Sequence, residues 1–177
     1  MRNRAGIRDQ ARLDAFEHDA ALQRASEPVR IGPLDVTQYR ALHRHPFQDV
    51  YAWAGRFRTV RIGKGGSVFC YPENIRGEMT KLFATLRAAD GFRGVRRAEF
   101  AERAAHFLAE LNAVHPFREG NGRTQLALLT LLSDRAGHML DLDRMQPAEM
   151  LDAMVRSFEG DEAPLRNLVF DLSAPGA

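Results

Sequence analysis

The sequence contains one cysteine, no long apolar run and almost no excess of either charge. Cys70 alone excludes an internal disulfide and a cysteine-rich zinc site. No apolar run approaches the roughly 18 residues of a membrane-spanning helix, and Met1 to Gln10 is charged rather than apolar, so neither a membrane anchor nor a secretory signal is predicted. A net charge of +2 gives no general case for direct nucleic-acid binding. We therefore expect a cytoplasmic protein.

The remaining composition is that of a folded globular protein. Hydrophobic residues make up 45% and charged residues 27% of the 177 residues, which argues against disorder. This length suits one domain with a sizeable core, and neither a repeat nor a linker interrupts it. We therefore expect residues 1–177 to form a single domain.

Most of the chain has helical periodicity. In the first predicted helix, Asp9 to Ala25, the core side would carry Leu13, Phe16, Ala20 and Leu22. A second follows Asp35, with a kink or break expected at Pro46. Further helices are predicted at Asn74 to Ala89, Arg97 to Asn112, Asn121 to Arg135, Pro147 to Phe158 and Pro164 to Leu172. The leucines of Asn121 to Arg135 leave no polar face, so this helix is expected to be central, with Gly137 as its C-cap.

One segment has a different pattern. Arg56 to Ile62 alternates like a strand, Gly63 to Gly66 supplies a turn, and Ser67 to Tyr71 returns with strand-like residues. The sequence therefore predicts a short β-hairpin on an otherwise helical body.

The segment His115 to Arg123, His-Pro-Phe-Arg-Glu-Gly-Asn-Gly-Arg, contains the densest chemistry. His115 ends one predicted helix, and an imidazole can accept a proton near neutral pH. Glycines 120 and 122 let backbone N–H groups at the start of the next helix approach an anion, most naturally a phosphate. Arg123 could hold phosphate oxygens in bidentate fashion, and Glu119 could bind Mg²⁺. Phe117 is interpreted as the apolar anchor of the loop.

These nine residues resemble the signature of Fic-domain proteins, HxFx(D/E)GNGRxxR. The segment Phe47 to Gly55 is similar to the early helix of that family, and Lys64 to Pro72 is similar to its flap hairpin. Gly160-Asp161 followed by Pro164-Leu165 also fits. The resemblance covers roughly Gly6 to Leu172.

The resemblance implies an all-α Fic fold, with a flap at about residues 56–72 over a core motif at 115–123. It also implies transfer of AMP from ATP to a Ser, Thr or Tyr hydroxyl of a target protein. In that reading His115 is the base, Glu119 holds Mg²⁺, and Gly120, Asn121, Gly122 and Arg123 bind the phosphates. The flap would bind the target by strand addition, through Lys64, Gly65, Gly66, Ser67, Val68 and Phe69, with Phe69 as a clamp over the target side chain.

Leu126 departs from the family motif, which has a second arginine at this position. Residues i and i+3 share a helix face, so the second arginine would reach toward the same phosphates as Arg123. Losing such a charge-assisted contact costs about 1.5–3 kcal/mol, unless another basic residue such as Arg118 replaces it. Three alternatives follow: a weak AMP-transferase, use of another nucleotide donor, or a non-catalytic nucleotide-binding adaptor. We favour transfer because the other motif residues are present.

Regulation can also be examined in the sequence. Many Fic proteins carry an inhibitory (S/T)xxxE(G/N) motif, but no Ser or Thr of this chain has Glu four residues later. This resembles the toxin-like class, which a separate small antitoxin inhibits, although Leu126 removes the usual partner of the inhibitory glutamate. Outside the motif, we expect His43 and His45 to lie at a helix surface or end, and the methionines at 139, 145, 150 and 154 to fill core gaps.

Overall fold

The computed structural model describes residues 2–29, 31–64 and 67–175. Seven α-helices occupy most of this part of the chain, and two short antiparallel strand pairs accompany them. The helices are α1 (Gln10–Ala25), α2 (Val36–Phe47), α3 (Pro72–Ala88), α4 (Arg97–Val114), α5 (Asn121–Ala136), α6 (Pro147–Phe158) and α7 (Ala163–Leu172). The strands are β1 (Gly63–Lys64), β2 (Ser67–Val68), β3 (His138–Leu140) and β4 (Ser173–Pro175).

Helix α4 lies at the centre of the bundle and packs against α3, α5, α6 and α7. Its buried residues cover most of its circumference, because neighbours surround it on several sides. A second, smaller core joins α1 to the end of α2 through Leu13, Ala20, Phe47, Val50 and Tyr51. The two cores meet at α2, which contacts α1, α3 and α5. Helix α2 thereby connects the N-terminal helix to the rest of the molecule.

The ends of the helices follow local chemistry that is visible in the sequence. The carboxylates of Asp9 and Asp35 accept hydrogen bonds from the backbone N–H groups of Arg12 and Gln38, which caps α1 and α2. Gly137 ends α5 in the left-handed conformation, with φ of 84°, as predicted. Pro46 lies in the last turn of α2, which ends one residue later.

Three local predictions are wrong. Arg56 to Ile62 forms no strand, because the Arg58 N–H donates to the carbonyl of Pro116 at 2.8 Å rather than to a strand partner. The hairpin is therefore limited to Gly63↔Val68 and Lys64↔Ser67. Leu22 is 58% exposed because α1 buries Leu13, Glu17 and Ala20 instead. Met139 is 63% exposed on β3, so it does not fill the core.

The described residues include no helix that is both long and apolar enough to cross a lipid bilayer.

Candidate active site

The segment His115 to Arg123 connects the end of α4 to the start of α5, as predicted. His115 follows α4 directly, and its N–H donates to the carbonyl of Leu111 at 3.0 Å. Its backbone has φ of 46° and ψ of 62°, the left-handed conformation that costs a non-glycine residue roughly 1–2 kcal/mol. Such strain persists only where the surrounding structure enforces it, and it is concentrated at functional sites.

The interior of the loop is braced by Asn121. Its side-chain carbonyl accepts from the Phe117 N–H, and its amide donates to the Phe117 carbonyl, both at 2.9 Å. Phe117 is fully buried, in agreement with its predicted role as the anchor of the loop. Asn121 thus supports the loop from within, a role that the sequence analysis did not include. Its assignment to phosphate binding stays a prediction.

Gly120 packs directly against the ring of Phe47 in α2. A Cβ built on Gly120 would lie 2.4 Å from two ring carbons, far closer than any real contact. Gly120 also has φ of 78°, a conformation that favours glycine. Both facts require glycine at the N-cap of α5. By contrast, a Cβ on Gly122 would meet no atom within 4 Å.

His43 contacts the loop through the carbonyl of Glu119 and is completely buried. Its predicted place at a helix surface or end is therefore wrong. The Gly55 N–H donates to His43 Nδ1, and His43 Nε2 lies 2.9 Å from the carbonyl of Glu119. Since an amide N–H can only donate and a carbonyl can only accept, the ring is neutral with its proton on Nε2. Burial lowers the pKa of His43 to about 4. The ring also packs on Phe117, with 3.8 Å between centroids.

Arg58 connects the flap to the turn at His115. Its guanidinium donates to the carbonyls of His115 at 2.7 Å, Val60 at 2.7 Å, Cys70 at 2.5 Å and Val114 at 3.2 Å. The residue is 2% exposed, and burial lowers its pKa. These bonds fix the two ends of the flap to the last turn of α4.

A cavity of about 550 Å³ opens above this loop. Five motif residues line it, namely His115, Glu119, Asn121, Gly122 and Arg123. Apolar side chains from α4, α5, α6 and the turn before α6 also line it, namely Leu108, Leu126, Leu129, Met145, Met150 and Met154. The cavity therefore combines an apolar lining with a few polar groups, which is the usual composition of a small-molecule site.

The flap covers one end of the cavity. The ring of Phe69 stacks on the ring of His115, with 3.9 Å between centroids and 11° between planes. Val68 is exposed, and the backbones of Lys64 and Ser67 pair in β1 and β2. Gly65 and Gly66, which were also assigned to the target, lie outside the described residues.

Arg123 lies at the other end, between α5 and α1. Its guanidinium lies 4.4 Å above the Phe47 ring centroid and donates to the carboxylate of Glu17. A second cavity, lined by α1 residues and Tyr51, shares Glu119 and Arg123 with the first. Glu119 and Arg123 thus line both cavities.

Glu119 is the predicted ligand of Mg²⁺. One of its carboxylate oxygens accepts from the Gly120 N–H at 3.1 Å. No cluster of three or more acidic, His or Cys side chains able to hold a metal occurs in the described part of the chain. Mg²⁺ is often held by one or two carboxylates together with substrate phosphates and water. The Glu119 carboxylate beside the N-terminus of α5 fits a metal that arrives with a nucleotide.

Comparison with known proteins places this geometry in a family. A sequence model of the Fic/DOC family matches residues 33–133. The chain belongs to the Fic/DOC family. It is 55% identical over 166 residues to a probable protein adenylyltransferase, y4lH, of Sinorhizobium fredii, covering 93% of this chain and 86% of the relative. It is 37% identical to the protein adenylyltransferase VbhT of Bartonella schoenbuchensis, covering 96% of this chain but 36% of VbhT.

Solved structures agree with the Fic fold. The N-terminal Fic domain of a Bartonella quintana effector with bound ADP has a TM-score of 0.84 and 28% identity, covering 99% of this chain and 91% of that one. The BepC protein of Bartonella tribocorum, at 24% identity, has a TM-score of 0.88 over 100% of this chain and 93% of that one. The predicted all-α Fic fold is thereby confirmed.

Sequence reasoning missed three side chains that support this Fic site: Glu17, His43 and Arg58. Each is a titratable residue in a segment that reads as ordinary helix or strand. Their burial is the signal that identifies them, and burial depends on the tertiary fold. The sequence contains an indication for Glu17 alone, because this residue shares a helix face with Leu13 and Ala20, the buried apolar positions of α1.

We predict that Gly120→Ala destabilises the protein by at least about 2 kcal/mol, since it adds left-handed strain and overlap with Phe47. Urea denaturation would measure this change in the free energy of unfolding. Gly122→Ala is the matched control and should change it by less than about 1 kcal/mol, because its added methyl meets open space. Equal effects of the two substitutions would contradict this account of the Phe47 contact.

We also predict that His43 makes stability depend on pH. The folded-state pKa of about 4 lies below the value of about 6.5 for an unfolded chain. The unfolded state therefore binds a proton first as pH falls. The stabilising contribution is complete above pH 6.5 and is lost toward pH 4, by up to about 3 kcal/mol. His43→Asn should show a smaller loss between pH 7 and 4.5 in denaturant titrations, and an unchanged loss would refute the assignment.

Proposed function

We propose that this protein transfers AMP from ATP to a hydroxyl side chain of a target protein. The observation that carries the proposal is that one cavity is lined by His115, Glu119, Asn121, Gly122 and Arg123. A base, a carboxylate, a helix N-terminus and a guanidinium together match the charges of a nucleotide triphosphate and the proton of an attacking hydroxyl. The similarity to y4lH, which is named a probable protein adenylyltransferase, supports the same reaction.

In this mechanism His115 acts as the general base. Its imidazole takes the proton of the target hydroxyl while the hydroxyl oxygen forms a bond to the α-phosphorus of ATP. The bond between the α-phosphorus and the bridging oxygen breaks, and pyrophosphate leaves with that oxygen. The Arg58 bond to the His115 carbonyl and the stack with Phe69 limit how far the imidazole can move. Catalysis would come from this positioning together with electrostatic stabilisation.

The phosphates would lie against the start of α5. The first N–H groups of a helix have no partner within the helix, so the amides of Asn121 and Gly122 favour an anion there. The Gly120 N–H, which donates to the Glu119 carboxylate, would join them once that carboxylate turns to a metal. Arg123 would bind the phosphate tail, and Glu119 would hold Mg²⁺ together with phosphate oxygens. The metal would neutralise charge on the leaving pyrophosphate. The Asn121 side chain contributes by keeping this turn in shape.

The flap would receive the target. An extended segment of the target could add to the edge of the β1–β2 pair through main-chain hydrogen bonds. Lys64 to Phe69 would form this surface. Because Phe69 stacks on the ring of His115, a target side chain that packs next to Phe69 would lie close to the His115 imidazole.

Leu126 is the reason for two alternatives to AMP transfer from ATP: use of another nucleotide donor, and nucleotide binding without transfer. It lines the cavity with Leu129 and Met150, so this part of the cavity is apolar rather than cationic. A donor that lacks a γ-phosphate would fit this surface better than ATP, and a protein that binds nucleotide without transfer is the non-catalytic alternative. Arg118 also lines the cavity and can supply the missing charge, which favours ATP.

Inhibition by a separate small antitoxin is part of the proposal. Because the chain lacks a Ser or Thr followed four residues later by Glu, we assign it to the toxin-like class. Leu126 cannot pair with an inhibitory glutamate. Such an antitoxin would therefore need another contact, for which Arg123 and Arg118 are the candidates at the cavity.

We expect wild-type protein to label a lysate protein with α-labelled ATP and Mg²⁺, and His115→Ala to reduce labelling by at least about 100-fold, the contribution of a general base. The matched control is His106→Ala, which removes an exposed histidine that contacts Glu162 and should leave labelling unchanged. Wild-type protein that binds nucleotide but transfers no label from ATP, CTP, GTP or UTP would refute the enzymatic function.

We expect Leu126→Arg to tighten ATP binding and to raise the transfer rate by about tenfold or more, since it restores a charge-assisted contact worth about 1.5–3 kcal/mol. Leu126→Met is the control, because it keeps the size and apolar character of the side chain. Calorimetric titration with ATP and initial rates of labelling would measure both effects. Unchanged values in Leu126→Arg would show that the missing arginine does not limit ATP use.

A further inference from the structure

The N-terminal helix α1 contributes a buried carboxylate to the active-site arginine. Glu17 lies on the inner face of α1, and its carboxylate accepts a hydrogen bond from Arg123. Its side chain is 12% exposed, whereas that of Arg123 is 48% exposed. Helix α1 precedes residues 33–133, which match the family model, so Glu17 is not among the matched motif residues.

Glu17 is itself held in place. The hydroxyl of Tyr51 donates to its second carboxylate oxygen at 2.6 Å, and Tyr51 is 2% exposed. Burial and the Glu17 hydrogen bond raise the pKa of Tyr51, so this hydroxyl remains a donor at neutral pH. The ring of Phe47 lies beneath the Arg123 guanidinium. The Glu17 carboxylate and the Phe47 ring thus contact the Arg123 guanidinium from two sides and limit its movement.

This arrangement leaves Arg123 able to bind a second anion. A guanidinium carries five N–H donors in a fixed plane, and the Glu17 contact uses Nη2. Arg123 also lines the cavity that contains His115. A phosphate in that cavity can therefore engage other N–H groups of the same plane while Glu17 stays bound. With Leu126 in place of a second arginine, the orientation of this one guanidinium matters more.

We propose that Glu17 is a positioning residue, which with Tyr51 orients Arg123 toward the phosphates of the nucleotide donor. The proposal rests on the function above for the identity of the anion. It differs from competition, in which Glu17 would occupy Arg123 and exclude the nucleotide. Positioning makes loss of the carboxylate harmful to nucleotide binding, whereas competition makes it beneficial.

The first test measures Arg123 without any ligand. The side-chain Nε–H signal of Arg123, assigned by its absence in Arg123→Lys, should report a restricted guanidinium in ¹⁵N relaxation of the wild type. Glu17→Gln should increase its mobility, and Tyr51→Phe should do so to a smaller extent. Equal mobility in wild type and Glu17→Gln would overturn the proposal, whether or not the protein transfers AMP.

The second test measures ATP binding by calorimetry and initial rates of AMP transfer. We expect Glu17→Gln to weaken ATP binding by about three- to tenfold and to lower kcat/KM by about tenfold, the scale of one misplaced contact. Asp14→Asn is the matched control, because it removes one negative charge from the same helix and the same second cavity. It should weaken neither quantity.

Tighter ATP binding in Glu17→Gln than in Asp14→Asn would establish competition and overturn the positioning role. Unchanged ATP binding and kcat/KM in Glu17→Gln would also overturn it. Wild-type protein that binds ATP without transferring AMP would refute the proposed function alone, since weaker ATP binding in Glu17→Gln would still support the inference.

Discussion

The active site depends on one packing contact, in which Gly120 lies flat against the ring of Phe47. No side chain fits between them, so only glycine at position 120 lets the start of α5 approach α2 this closely. The same ring lies under the guanidinium of Arg123 and beside the imidazole of His43. One buried aromatic ring therefore contacts the turn at the start of α5, the arginine and the histidine that supports the loop.

Around that contact, buried polar groups hold the chemically active side chains in place. His43 joins the Glu119 carbonyl to the Gly55 N–H, Asn121 closes the loop onto Phe117, and Arg58 ties the ends of the flap to the His115 turn. Each of these polar groups is withdrawn from water, and leaving one unpaired would cost about 1–3 kcal/mol. The loop is therefore held in one conformation, which agrees with the strained backbone of His115.

The cavity brings polar motif side chains together with apolar ones, and Leu126 is among the apolar residues that line it. The arginines that line this cavity are Arg118 and Arg123. Helix α1 contributes to the site because Glu17, held by Tyr51, accepts a hydrogen bond from Arg123 and thereby orients its guanidinium. A segment far from the motif in sequence becomes part of the environment of the site.

The sequence by itself determined the helical class, the caps at Asp9, Asp35 and Gly137, and the location of the motif, because these depend on local periodicity, backbone conformation and residue chemistry. It also predicted one anion-binding site for the motif residues, since they lie within nine positions, whereas the cavity that they line was found only in the structure. Only the tertiary structure decided that Arg58 leaves the expected strand to bond carbonyls of α4, that His43 is buried, and that Glu17 meets Arg123. These contacts join residues 57, 76 and 106 positions apart, and packing between helices, rather than local pattern, determines which of them meet.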